Sequence, residues 1–123
     1  METEAIQNMK FTKNELDSFG GIAHALAEFH ALYSDMTAMQ MRVFIVVCRR
    51  GKLTGKEIAN ALDITGSNVS RCVAVLSDVQ VARRKGDPLN LVELSTDPLD
   101  RRIRYVQLSE KGKLFAKQLL ANF

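Results

Sequence analysis

The 123 residues include 46% hydrophobic and 25% charged side chains, two cysteines and a formal net charge of +3. That is enough apolar content for one core without help from a metal or a disulfide, and too short a chain to hold a second catalytic domain behind it. The longest uncharged apolar run, Val43 to Cys48, is too short to span a bilayer, and the acidic N-terminus lacks the basic region and apolar core of a signal peptide. A soluble, cytoplasmic protein is expected.

The charge is unevenly spread. Residues 1–36 carry two lysines against six acids, a balance of −4, and the remaining fifteen basic and eight acidic residues leave +7 on residues 37–123. An acidic arm on a basic body implies that the body meets a polyanion.

Residues 1–11 have no clear period and are expected to fray. Thr12 with Glu15 is a capping box, and Leu16, Phe19, Ala23, Leu26, His30 and Tyr33 then step by three and four, with Ile22 and Phe29 widening the stripe. This predicts a long amphipathic helix to about Tyr33, which either packs on its own subunit or docks on a partner. Both roles are expected, with Leu16, Phe19, Ile22, Leu26, Phe29 and Tyr33 in a homodimer interface. His24 and His30 lie six apart, on different faces, with no carboxylate or thiol spaced to join them in a metal site.

Thr37 can cap the next element and Gly51 can end it, with Arg49 and Arg50 in the last turn where cations are favourable. The β-branched run VFIVVC would suit a strand by propensity, but length and caps predict a helix buried on most sides. Cys48 and Cys72 sit among apolar residues without zinc-site spacing, so reduced, buried thiols are expected. Neither has a basic cluster nearby to activate it for redox sensing.

Lys52-Leu53 predicts a brief strand, and Thr54 with Glu57 a further capping box. Ile58 and Leu62 form one apolar edge, Ala59 is small enough for close helix approach, and Asp63-Ile64-Thr65-Gly66 breaks the pattern with the length of a helix-turn-helix corner. Ser67 or Thr65 can cap the second helix. Its Val69, Cys72 or Val73, and Leu76 face inward, leaving Ser67, Asn68, Ser70 and Arg71 outward. Asn and Arg can make bidentate contacts to adenine and guanine edges, so this face suits DNA, with Thr54 and Lys56 at the start of the first helix beside it.

That helix is expected to run to about Val79 or Ala82, before Arg83-Arg84-Lys85-Gly86-Asp87-Pro88 ends regular structure. Leu91-Val92-Glu93-Leu94 and Ile103 to Leu108 then read as two strands around a charged tip, Asp97 to Arg102. A hairpin following a helix-turn-helix is a wing, whose Arg101 and Arg102 can reach a minor groove or flanking phosphates. Ser109 caps a last helix to about Asn122, and its Leu119 and Phe123 are expected to join the dimer face. The fold class is therefore mainly α with a small β-hairpin (α+β). It is a winged helix-turn-helix over 37–123 with an extra N-terminal helix, the arm, over 1–36.

Asp97-Pro98-Leu99-Asp100-Arg101-Arg102, the strand after it and Ser109-Glu110-Lys111-Gly112 resemble the wing signature of the MarR family of bacterial winged-helix transcription regulators. The segment Leu53 to Leu76 is similar to that family's helix-turn-helix in spacing and apolar positions. The resemblance implies a homodimer that binds a pseudo-palindromic double-stranded DNA site, often as a repressor, in a bacterial nucleoid or from a phage or plasmid. Ser67, Asn68, Ser70 and Arg71 would enter the major groove and Arg101 the minor groove, while Asp97 or Asp100 would hold the tip by pairing with Arg102.

The chain departs from the family in two places. Either Val81-Ala82-Arg83-Arg84 or Leu91-Val92-Glu93-Leu94 could be the first wing strand. Only eleven residues follow Gly112, so the arm and the short last helix are expected to carry dimerisation. The cavity where relatives take a small-molecule effector should shrink with that region, and a ligand switch is not the first expectation. The rival reading is a winged-helix protein-interaction module that binds another regulator or a polymerase subunit through the acidic arm. No enzyme is expected, since there is no Gly-rich phosphate loop, HExxH or GxSxG, and no cofactor is implied.

Overall fold

Five helices begin where a threonine or serine hydroxyl accepts an otherwise unpaired backbone amide. Thr12 Oγ1 takes Glu15 N at 3.2 Å, Thr37 takes Gln40 N at 3.1 Å, Thr54 takes Glu57 N at 3.2 Å, Thr65 takes Asn68 N at 3.2 Å and Ser109 takes Gly112 N at 2.9 Å. At Thr12, Thr37 and Thr54 the third residue reaches back to the cap amide and completes a capping box. The computed structural model describes residues 2–78 and 87–123. In chain order it runs α1 (Glu2–Gln7), α2 (Lys13–Leu32), α3 (Ala38–Arg50), β1 (Lys52–Thr54), α4 (Gly55–Leu62), α5 (Gly66–Leu76), β2 (Val92–Thr96), β3 (Arg104–Leu108) and α6 (Glu110–Leu120). The fold is a winged helix-turn-helix, mainly α with a small antiparallel sheet.

The run from Met41 to Val47 is helical in spite of its β-branched residues because the surrounding elements bury it. Val43, Phe44 and Val47 are wholly inaccessible, and Phe44 stacks edge-on against Phe29 of α2 at 5.9 Å. Phe115 of α6 closes the cluster, 5.3 Å from Phe29 and 5.7 Å from Phe44. Gly51, at φ 86°, ends α3 and donates its amide to Val47 O, turning the chain into β1.

The sheet has the order β1-β3-β2, so the brief strand at Lys52 extends the hairpin to three strands. Leu53 pairs with Val106, and Leu94 with Val106 from the other side. One face of the sheet carries Leu53, Val92, Val106 and Leu108 against the helices. The other carries Lys52, Glu93, Tyr105 and Gln107.

Several expectations change here. Residues 2–7 form a short helix with no buried residue, instead of fraying. Helix α5 stops at Leu76, short of Val79, because its last carbonyls are taken by the returning chain. Leu91 N donates to Leu76 O at 2.8 Å and Asn90 N to Ser77 O at 3.0 Å. The first wing strand is β2, beginning at Val92, with Leu91 a buried plug before it. Val81 to Lys85, the alternative strand and its basic run, lie outside the described residues. Phe29, expected at a dimer interface, is 3% exposed and belongs to the subunit's own core. Cys48, expected buried, is exposed on α3, whereas Cys72 is buried.

Candidate nucleic-acid interface

The helix-turn-helix corner is set by Asp63, which ends α4 in the left-handed region at φ 54° and ψ 52° with its amide on Ala59 O. Ile64 N also donates to Ala59 O, and Thr65 then caps α5, its hydroxyl 3.1 Å from that of Ser67. Val69, Cys72, Val73 and Leu76 are buried, so both of the alternatives at the middle position face inward. Ser67, Asn68, Ser70 and Arg71 are all exposed. Arg71 Nε lies 3.4 Å from Ser67 O, which lays the guanidinium along the helix N-terminal half.

Thr54 and Lys56 differ in what they can offer. The Thr54 hydroxyl accepts from Glu57 N and donates to Glu57 Oε1 at 3.1 Å, and its amide donates to the same oxygen at 3.0 Å. Those bonds from the Thr54 amide and hydroxyl hold the Glu57 carboxyl below its ordinary pKa. Thr54 is therefore occupied as a cap, whereas Lys56 is exposed on the first turn.

The wing tip is a built turn. Asp97 N donates to Ile103 O at 2.9 Å, and Asp97 Oδ1 accepts from Leu99 N at 2.8 Å and from Asp100 N at 3.2 Å. Asp97 Oδ2 accepts from Tyr105 OH at 2.9 Å. Asp100 grips Arg102 with both carboxylate oxygens, taking Nε and Nη2 at 3.1 Å each, and also accepts the Arg102 amide. Asp100 is thus the partner of Arg102, and Asp97 shapes the turn. Each carboxyl lies below its ordinary pKa, Asp97 chiefly through the Leu99 amide and Asp100 chiefly through the Arg102 guanidinium. Arg101 is exposed and makes no side-chain hydrogen bond or ion pair among the described residues.

Between α5 and the wing runs a groove of about 400 Å³ lined by Gly55, Val69, Ser70, Ala74, Leu94 and Arg104 among others. Arg104 belongs to no motif that marks it in the sequence. Its signal was the period-two register: Arg104 shares a sheet face with Val106, the face toward α5, so its side chain lines the groove beside the recognition helix.

Sharing none of that groove's residues, α2, α3 and α6 form a second groove of about 390 Å³, almost wholly apolar, whose lining includes Ile22, Leu26, Phe29, Cys48, Leu119 and Phe123. Leu16, Phe19, Ile22, Leu26 and Phe123 are exposed, Leu119 and Tyr33 partly buried against the core. Asn122 Nδ2 donates to Glu28 Oε2 at 2.9 Å and ties the C-terminus to α2. Among the described residues no cluster of His, Cys, Asp or Glu could hold a metal ion. No helix there is long and apolar enough to cross a membrane.

A recognition helix flanked by a three-stranded wing defines the winged helix-turn-helix class of transcription regulators. The comparisons narrow the class. Residues 34–89 match the model of the MarR family. A MarR-like transcriptional regulator from Thermotoga maritima is 30% identical, with 93% of this chain and 77% of that one covered and a TM-score of 0.60. The YusO protein of Bacillus subtilis is 20% identical over 91% of this chain and 78% of its own, at a TM-score of 0.56. BpsR of Bordetella bronchiseptica, whose DNA binding is regulated by 6-hydroxynicotinic acid, is 23% identical over 83% and 71%, also at 0.56. Curated protein sequences yield no match. The chain belongs to the MarR family of transcriptional regulators.

Proposed function

We propose that the protein is a sequence-specific regulator that binds double-stranded DNA as a homodimer on a pseudo-palindromic site, acting in the cytoplasm as a repressor. The observation that carries this reading is the pairing of an exposed α5 face, Ser67, Asn68, Ser70 and Arg71, with an exposed Arg101 at a wing tip whose other charges are already engaged. Asn68 and Arg71 would read base edges in the major groove and Arg101 the adjacent minor groove. Lys56 and Arg104 would grip phosphates on either side. Repression follows from occupancy, since such a dimer on a promoter excludes polymerase without further chemistry.

The exposed stripe of Leu16, Phe19, Ile22 and Leu26, together with Leu119 and Phe123, would form the dimer contact, placing two recognition helices about one DNA turn, ~34 Å, apart. The same stripe favours the second reading, a protein-interaction module working through the acidic arm.

Random-duplex selection with the purified protein, followed by anisotropy titration of the enriched sequence across a salt series, separates them. The first reading expects an inverted repeat and a fall in affinity of roughly a thousandfold or more between 50 and 200 mM salt for about 6 to 10 phosphate contacts. Replacing Arg71 or Arg101 by alanine should weaken binding about tenfold or more. No enrichment and a flat salt dependence would discard the DNA reading and leave the arm as the functional surface.

A further inference from the structure

The wing tip is tied to the rest of the molecule through one side chain that neither the base-reading nor the phosphate-gripping set includes. Tyr105 lies near the start of β3, paired with Thr54 of β1 on one side and Ser95 of β2 on the other. Its hydroxyl reaches past the end of the sheet and donates to Asp97 Oδ2 at 2.9 Å. The opposite oxygen of that carboxylate receives the Leu99 and Asp100 amides, the two that define the turn leading into Arg101. Lys52 Nζ stands 4.7 Å from the centre of the Tyr105 ring.

Lys52 opens β1, the strand that runs directly into Thr54, the cap of α4. One face of the sheet therefore holds a continuous connection, Lys52 to Tyr105 to Asp97 to the turn. Without the hydroxyl, the Asp97 carboxylate keeps its two amides but loses its side-chain anchor to the sheet, and the turn from Pro98 to Arg102 is left hinged on the backbone bond from Asp97 N to Ile103 O. A hydrogen bond to an ionised acceptor is among the stronger ones a protein makes, and here it crosses from loop to strand.

We propose that Tyr105 is a positioning residue of the wing: its hydroxyl on Asp97, braced by Lys52 over the ring, holds the turn that presents Arg101 to the minor groove. The proposal rests on the DNA-binding reading for its consequence, but the anchoring itself is independent of it. Tyr105 touches no base. It acts through Arg101, and it aligns the wing with the helix-turn-helix because the bracing lysine sits on the strand that enters α4.

The test is a double-mutant cycle. Tyr105→Phe keeps the ring beneath Lys52 and removes only the hydroxyl. Against the enriched duplex it should lose roughly three- to tenfold in affinity, and it should change nothing further when added to Arg101→Ala. A tyrosine that served only general stability would give the same loss in both backgrounds, and that result, or wild-type binding by Tyr105→Phe, overturns the proposal. In parallel, hydrogen exchange at the Leu99 and Asp100 amides should quicken in Tyr105→Phe while the Val43 and Val47 amides stay protected. Were the wild-type protein to bind no duplex, the DNA reading would fall and amide exchange alone would decide the anchoring, unchanged exchange at Leu99 and Asp100 refuting it.

Discussion

Gly112 packs so tightly under the Leu91 carbonyl that a β-carbon built on it would overlap that oxygen. The contact joins the first turn of α6 to the chain arriving from α5. It is reinforced by Ser109, whose amide donates to Leu91 O at 3.1 Å and whose hydroxyl donates to Asn90 O at 2.6 Å. Gly112→Ala should force α6 away from its seat and cost about 2–3 kcal/mol, read as a lower midpoint in urea at unchanged slope.

Phe29 and Leu16 lie on the same helix, yet they should fail differently. Phe29→Ala opens a cavity beside Phe44 and Phe115 and should cost about 3–5 kcal/mol in the unfolding free energy of each subunit. Leu16 is 55% exposed, so Leu16→Asp should change the stability of the fold by only about 0.5 kcal/mol and, if the proposed dimer contact holds, shift sedimentation from dimer toward monomer. An unfolded Leu16→Asp variant would place that face inside the subunit instead.

Cys48 is surface-exposed in the subunit, but the apolar surroundings that bury part of it push its thiol up to about 11. Almost no thiolate exists at neutral pH, so reaction with a disulfide reagent should be far slower than for a free cysteine and accelerate only as pH climbs toward that value. Fast labelling at pH 7 would contradict this.

The wing should loosen from both ends of the pH scale. Asp97 and Asp100 have native pKa values below the ordinary one, so their contribution is present above the ordinary aspartate value and is lost as pH falls through the lowered native values. Tyr105 is shifted the other way, raised by its bond to Asp97. Its contribution is present below the ordinary tyrosine value and is lost as pH rises through the raised one. The Leu99 and Arg102 amide chemical shifts, followed by NMR, should titrate in the acid range, with the phenol of Tyr105 titrating late. Asp97→Asn should bring that phenol back toward its ordinary value.

Arg104 lines the groove against α5, where the proposed DNA-binding reading puts a phosphate backbone. Arg104→Ala should weaken binding about equally for all duplexes and lower the salt slope by roughly one, whereas Arg71→Ala should relax base preference.

Local chemistry written into the chain accounts for much of this architecture. Thr12, Thr37, Thr54 and Ser109 cap helices where their sequence context says they should, since an N-cap needs only a hydroxyl and the amide three residues on. The three-and-four spacing of Val69, Cys72, Val73 and Leu76 likewise decides which side of α5 is left for Ser67, Asn68, Ser70 and Arg71.

What required the folded chain were the partners distant in sequence. The amphipathic stripe of α2 is continuous in sequence, and only the meeting of α3 and α6 takes Phe29 out of it into the core while leaving Leu16 and Phe19 exposed. The end of α5 depended on the Leu91 and Asn90 amides arriving at its last carbonyls. Arg104 and Tyr105 are adjacent residues of ordinary strand character. The pleat sends the first toward α5 and the second toward Lys52 and Asp97, and that division of labour exists only once β1 pairs with β3.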